Sequence, residues 1–318
     1  MAVQGWSLPE RVELAEVGPR DGFQMEKAFI PTEVKVQIID RLSETGVGEI
    51  QATSFVHPKA IPQLADAEEV MARIHRHPGV VYTALAPNAR GAERALRAEV
   101  GRVETFVSVS ESHSRSNANM STEEALRRAG EVAELCRQAG TEVSIGFPTA
   151  LGCPFEGFPE AARVDGLVRR AVEELGMARV SIADTVGMAN PRLVRETMLR
   201  LRQTFPEITF VLHLHNTRSM GLANLLAGLE AGVRHFDASL AGLGGCPYAP
   251  GATGNVATED VMNMLRGMGI ETGIDPDAQL EAAHLAAERL GHADSGVLKA
   301  GSSEQLLGRY SGDQVRDG

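Results

Sequence analysis

From Val12 onward the chain alternates short β-branched runs with longer segments of helical periodicity, and it does so eight times. The β-branched runs predict strands over 12–17, 47–53, 80–86, 102–109, 142–147, 179–183, 208–215 and 234–240. Between them the apolar spacing predicts helices over 32–45, 65–76, 89–99, 122–139, 160–175, 191–204, 219–231 and 258–266. Several boundaries carry their own signals. Ser121-Thr-Glu-Glu124 is a cap followed by an acidic first turn, and Gly46, Gly140, Gly176 and Gly232 stand just past helix ends. Eight such units match an α/β fold of the (β/α)8 (TIM) barrel type, whose usual size is ~250 residues. An open doubly wound sheet would normally carry a G-x-G-x-x-G turn after its first strand, whereas this one is followed by Gly18-Pro-Arg-Asp-Gly22. The expected organisation is an N-terminal extension (1–11), a catalytic barrel (12–274) and a C-terminal helical extension (275–318). In the last, a helix over 277–290 gives way to a polar tail.

Composition narrows the class of function. At 318 residues and 43% hydrophobic the chain can bury a large core. A formal charge of −11 opposes general nucleic-acid binding, and no segment has the ~18 uninterrupted apolar residues that a membrane span requires. The first ten residues have neither a signal-peptide apolar stretch nor an Arg-rich amphipathic helix, so a cytoplasmic location is expected. Cys136, Cys153 and Cys246 are too few and too scattered for a disulfide framework or a Cys-rich zinc module, and Cys136 reads as helix packing.

Barrel chemistry is built where strands end and loops begin. There the first strand delivers Arg20 and Asp21, the second Gln51, Thr53 and Ser54, and the sixth Asp184 and Thr185. The seventh ends in His213-Leu-His215, and alternation along a strand aims both imidazoles the same way, an arrangement suited to two metal ligands. Bland readings stand beside these: a histidine pair on a strand can be structural, Asp21 before Gly22 can form a turn, and Arg20 can pair with a surface acid. After the eighth strand, the glycine-rich stretch from Gly242 to Asn255 suggests a lid that places Cys246 over the barrel mouth.

Val17-Gly-Pro-Arg-Asp-Gly22, Ala52-Thr-Ser-Phe55, Gly152-Cys-Pro-Phe-Glu-Gly157, Ala183-Asp-Thr-Val-Gly187, His213-Leu-His215 and the run from Ala241 to Asp260 resemble the 3-hydroxy-3-methylglutaryl-CoA lyases, in the same order along the chain. The resemblance implies a divalent-metal-dependent retro-Claisen cleavage of an acyl-CoA into acetyl-CoA and a keto acid, a step of leucine degradation, performed by a homodimer. By the same resemblance, Asp21, His213, His215 and Asn255 hold Mg²⁺ or Mn²⁺, for which an oxygen and imidazole donor set is suitable. Arg20 would stabilise the enolate, Cys246 would protonate it, and His213 would shuttle a proton beside the metal. Glu16, Asp184 and Glu259 would line the polar mouth. Gln24, Gln51 and Ser54 would meet the acyl part, with Arg115, Asn117 and Asn119 toward the CoA.

Two positions depart from the pattern. These lyases usually read Ile-Glu-Ala-Thr-Ser-Phe on strand two, where this chain has Ile50-Gln-Ala-Thr-Ser-Phe55, so an amide replaces a carboxylate. Asn216 likewise stands where an Asp is usual. The departures leave open a lyase for citramalyl-CoA or a longer 3-hydroxy-3-alkylglutaryl-CoA, a Claisen-type synthase running the bond change in reverse, and a non-catalytic acyl-CoA binder. The Cys246 loop opposes the synthase. Retention of every proposed ligand, Arg20 and Cys246 opposes the binder.

Overall fold

The computed structural model describes residues 8–245 and 254–302. Eight parallel strands, β1 (Glu13–Glu16), β2 (Glu49–Ser54), β3 (Val81–Leu85), β4 (Arg102–Phe106), β5 (Glu142–Phe147), β6 (Arg179–Asp184), β7 (Thr209–Leu214) and β8 (His235–Ala238), close in sequence order into a barrel. Helices α1 (Thr32–Ser43), α2 (Ala67–Arg73), α3 (Ala89–Arg97), α4 (Glu111–Ala118), α5 (Thr122–Ala139), α6 (Ala161–Glu173), α7 (Pro191–Thr204), α8 (Gly221–Glu230) and α9 (Thr258–Gly267) follow the strands. The expected (β/α)8 barrel is therefore the fold.

Strand residues that face the helices are aliphatic and fully buried, as with Ile50, Ile145, Val180 and Leu212. Each such side chain contributes ~1.5–3 kcal/mol relative to exposure. α8 lies close enough on β7 that a Cβ at Gly228 would come 2.4 Å from Leu212 Cδ1. That close approach fixes the backbone from which His213 and His215 project.

The inner side of the barrel is polar. Glu49, Arg102, Arg179 and His235 come from the even-numbered strands, the geometry in which alternate strands fill one layer. Arg102 pairs with Glu49, Arg179 Nη2 reaches Glu49 at 3.0 Å, and Arg179 Nη1 lies 3.5 Å from His235 Nδ1. This ionic layer replaces the branched aliphatic filling usual in such barrels.

Some expectations change in detail. The fourth strand ends at Phe106 rather than Val109, and the expected loop after it folds into α4. Ser110 caps that helix by accepting from His113 N at 3.1 Å, and Asn119 closes it in the left-handed region at φ 52°. α2 begins at Ala67 because Pro62–Leu64 first forms a 3-10 turn. α8 starts at Gly221 instead of the expected Ser219, whose φ of 58° is incompatible with helix. Beyond the barrel, α10 (Pro276–Leu290) is followed by α11 (Gly296–Ala300), a turn not expected in the polar tail and capped by Ser295. The C-terminal segment supports the β8 end of the barrel: Asp294 N donates to Ala241 O at 2.7 Å, and α10 buries Ala282, Ala283 and Ala286.

Candidate active site

The turn after β1 supplies Arg20 and Asp21. Gly18–Gly22 winds into a single wide helical turn, entered through Pro19. Its glycines are required by close approach: a Cβ at Gly18 would sit 2.2 Å from Leu240 Cδ2, and one at Gly22 2.8 Å from Leu243 Cβ. Buried Glu16 ties this turn to the β8 end, accepting from Gly18 N and Leu240 N at 2.8 Å each and from Thr258 Oγ1 at 2.8 Å.

His213 and His215 do project together from the end of β7, their ring centroids 5.2 Å apart and their Nε2 atoms 3.2 Å apart. Asp21 Oδ2 is 3.8 Å from His213 Nε2, and the ligand atoms of Asp21, His213 and His215 all lie within 4.8 Å of one another. Asn255 joins them because the chain returns beside β7: Asn216 N donates to Gly254 O at 2.7 Å, Val256 N to Leu214 O at 3.1 Å, and Asn255 bridges with His215. The Asn255 amide donates to Asp21 Oδ2 at 2.8 Å and to Leu243 O at 3.2 Å. All four residues expected to hold a metal are thus neighbours.

The electrostatics suit a cation. Burial alone would raise the Asp21 pKa, but Arg20, His213 and His215 outweigh it and hold the carboxyl well below the usual range. Burial and the charge of His213 push His215 down to about 3, so its ring is neutral at ordinary pH, as a metal ligand needs. His213 goes the other way: burial opposes its charge, but the bond to Asp237 and the Asp21 carboxylate raise its pKa. Two buried Nε2 atoms at 3.2 Å cannot both direct lone pairs at the gap, which therefore calls for a proton or a metal between them. The donor set of imidazoles, carboxylate and amide fits a divalent cation on its chemistry.

Two acids that sequence inspection did not single out complete the surroundings. Asp237 on β8 lies 3.1 Å from His213 Nδ1, the carboxylate–imidazole pairing that fixes a ligating ring. Glu104 on β4 accepts from Thr83 Oγ1 at 2.8 Å and from the Gln51 amide. The available signal was alternation: in Arg102-Val-Glu-Thr-Phe106 and His235-Phe-Asp-Ala238 the acid occupies the face opposite Val103 and Thr105 or Phe236 and Ala238, all buried.

The other expected residues separate into groups. Gln24 donates to Asp21 Oδ1 at 2.7 Å, and Gln51 accepts from Arg20 Nε, so both belong to the cluster. Ser54 Oγ, at the end of β2, is buried without a partner among the described residues. Asp184 accepts from Met188 N and Ala189 N and so holds the loop after β6; burial pushes its pKa up to about 6. Glu259 accepts from Ala241 N and Gln279 Nε2. Like Glu16 it braces the β8 turn rather than touching the histidines. Arg115, Asn117 and Asn119 are exposed along α4 and its cap, apart from the cluster, with Arg115 paired to Glu111 at 2.7 Å. Cys246 lies outside the described residues. Cys136 is buried in α5 and desolvation pushes its thiol up to about 11, in keeping with a packing role.

A sequence profile described as HMGL-like matches residues 11–285. The chain belongs to the HMGL-like family. This HMGL-like chain is 42% identical to the mitochondrial hydroxymethylglutaryl-CoA lyase of Mus musculus over 289 residues, which cover 91% of this chain and 89% of that protein. It is also 42% identical to a hydroxymethylglutaryl-CoA lyase of Bacillus subtilis, covering 89% of this chain and 94% of the other. Among solved structures, a Bacillus subtilis HMG-CoA lyase superposes with a TM-score of 0.90 at 42% identity, covering 92% of this chain and 98% of the other. An Acinetobacter baumannii HMG-CoA lyase in complex with coenzyme A and 3-methylmalate superposes with a TM-score of 0.88 at 42% identity, covering 92% and 96%.

Proposed function

We propose that this protein is a carbon–carbon lyase that cleaves a 3-hydroxy-3-methylglutaryl-CoA-like thioester into acetyl-CoA and a keto acid, acetoacetate in the case of the named substrate. The observation that carries this reading is the buried Asp21, His213 and His215 cluster with Arg20 bound to one of its members. Asp21, His213, His215 and Asn255 are assigned to Mg²⁺ or Mn²⁺. Bound there, the ion supplies Lewis acidity that lowers the pKa of the substrate's tertiary hydroxyl and favours its conversion to a carbonyl.

The chain's own residues supply the rest. Cleavage passes the hydroxyl proton to His213, the assigned shuttle, turns that oxygen into the carbonyl of the departing keto acid, and leaves the electron pair of the broken C–C bond on the thioester as an enolate. Arg20 offers the fixed cation for the enolate oxygen. Its Nε and Nη1 are engaged by Gln51 and Asp21, which leaves the Nη2 amino group as the arm assigned to the ligand. The enolate carbon then takes a proton, a role assigned to Cys246 because a thiol with an ordinary pKa of about 8.5 donates readily near neutral pH. Since Asp237 holds His213 Nδ1, both roles assigned to His213, ligand and proton shuttle, fall to Nε2, and the ring serves them in turn.

Ser54, with its unpartnered hydroxyl, is assigned to the acyl group together with Gln24 and Gln51, and Arg115, Asn117 and Asn119 to the CoA. A homodimer in the cytoplasm completes the proposal. Named relatives include mitochondrial and cytoplasmic lyases, and no described helix is long and apolar enough to cross a membrane. The test is acetyl-CoA release by purified protein with Mg²⁺ or Mn²⁺, comparing 3-hydroxy-3-methylglutaryl-CoA with citramalyl-CoA. Release from the first is expected. Release from citramalyl-CoA alone would reassign the acyl group, and release from neither would overturn the proposal.

A further inference from the structure

Gln51 is an amide where related lyases carry an acid, yet it is far from isolated. Its Oε1 accepts from Arg20 Nε, and its Nε2 donates to Glu104 Oε2. Arginine can only donate and a carboxylate oxygen can accept in either protonation state, so the two neighbours between them fix which way the amide points. Glu104 is anchored in turn by the Thr83 hydroxyl at 2.8 Å. A bulge on β2, where Ala52 has no counterpart on β3, lies beside Gln51 in this arrangement.

The resulting chain runs from β3 and β4 through β2 to the turn after β1. Its value to Arg20 follows from the alternative. The other described side-chain bond of Arg20 goes to Asp21, the same carboxylate assigned to the metal. Sharing that carboxylate with a divalent ion weakens its pull on the guanidinium, and the hold through Gln51 is then what keeps Arg20 in one orientation. A guanidinium that must stabilise an enolate within a narrow geometry depends on such support.

We propose that Glu104 is a positioning residue that orients Arg20 through the Gln51 amide, so that positions 51 and 104 act as one unit in which the acid sits on β4 instead of β2. The proposal rests on the lyase reading above for its kinetic arm but not for its spectroscopic one. It predicts a specific pattern among variants. Glu104→Leu removes the acceptor and lowers kcat roughly 10–100-fold with KM little changed, the size of effect usual for groups that orient a catalytic side chain. Gln51→Glu places two carboxyl groups in contact and is also impaired. Combining it with Glu104→Gln moves the acid from β4 back to β2 and recovers most of the loss.

The test measures kcat and KM for acetyl-CoA release in these variants. In parallel, the Arg20 Nε–H signal is followed in protein labelled with ¹⁵N-arginine and assigned through its disappearance in Arg20→Lys. Expected are a shifted or broadened Arg20 signal in Glu104→Leu and a sharp one in the exchanged double variant. If Glu104→Leu folds poorly, Glu104→Asp, which keeps the charge but shortens the reach, takes its place. An unmoved Arg20 signal in Glu104→Leu, or a double variant no better than Gln51→Glu alone, overturns the proposal. A protein inactive on every thioester would defeat the lyase reading while the Arg20 signal still decides the relay.

Discussion

Glu16 and Glu259 are buried together under the β8 turn, and their protonation should be visible in the protein's stability. Burial raises Glu259 from 4.5 to about 8, helped by the charge of Glu16, and burial raises Glu16 to about 7 against its three hydrogen-bond donors. A carboxyl with a raised folded pKa binds more protons folded than unfolded between the two values. Its contribution is therefore fully present below 4.5 and is lost as the pH climbs toward 8. Each proton so retained costs ~1.4 kcal/mol per pH unit, so Glu259 makes the protein on the order of 3 kcal/mol less stable at pH 8 than at pH 5. Glu259→Gln should remove that slope. The amide oxygen can still accept from Ala241 N, and its NH₂ can donate to Gln279 Oε1, which is buried without a partner among the described residues. Urea unfolding of both proteins at pH 5, 6.5 and 8, in chelator, would show the variant close to wild type at pH 5 and clearly more stable at pH 8. Parallel stability curves would refute the reasoning, because they would mean that Glu259 is already ionised in the fold and that its burial is compensated by donors other than those described.

Other expectations follow from the site. His215→Ala should keep the fold but weaken Mn²⁺ binding at least tenfold by calorimetry and abolish metal-dependent turnover; unchanged metal affinity would remove His215 from the ligand set. Asp237→Asn leaves His213 without its carboxylate and should weaken metal binding by roughly 10–100-fold, measured in the same titration. Gly18→Ala forces a methyl group against Leu240 and should cost ~1–3 kcal/mol in urea unfolding, with a loss of kcat as Arg20 shifts.

Much of the barrel was legible because its determinants are local. Helices α5 and α7 form over the residues that periodicity and capping indicate, Thr122–Ala139 and Pro191–Thr204, since Ser121 and Asn190 accept from backbone N–H groups at their starts. The pairing of His213 with His215 was legible for the same reason: alternation along one strand needs no partner. The π-type turn at Gly18–Gly22 and helix α4 were not. The first depends on how closely the β8 turn approaches Gly18 and Gly22, and the second on a cap within a segment of mostly small polar residues. Asn216 shows how a departure can be harmless, because its Oδ1 accepts from Gly221 N at 3.0 Å, a task that an amide oxygen and a carboxylate perform alike.

Gln51 makes the opposite case. Along the chain it counts as a lost charge, because a linear pattern compares one position with the same position in relatives. Inside a closed barrel the relevant unit is the layer, to which side chains from alternate strands contribute jointly. Gln51, Glu104 and Asp237 belong to strands β2, β4 and β8, one alternation further along each strand than Glu49, Arg102 and His235. An acid can therefore sit on β4 instead of β2 while remaining linked, through the Gln51 amide, to the group it serves. The charge near Arg20 is thus a property of the layer, and a substitution at position 51 has to be weighed against what β4 presents across the barrel. On that basis the amide at Gln51 is compatible with the family's chemistry, provided that Glu104 remains beside it.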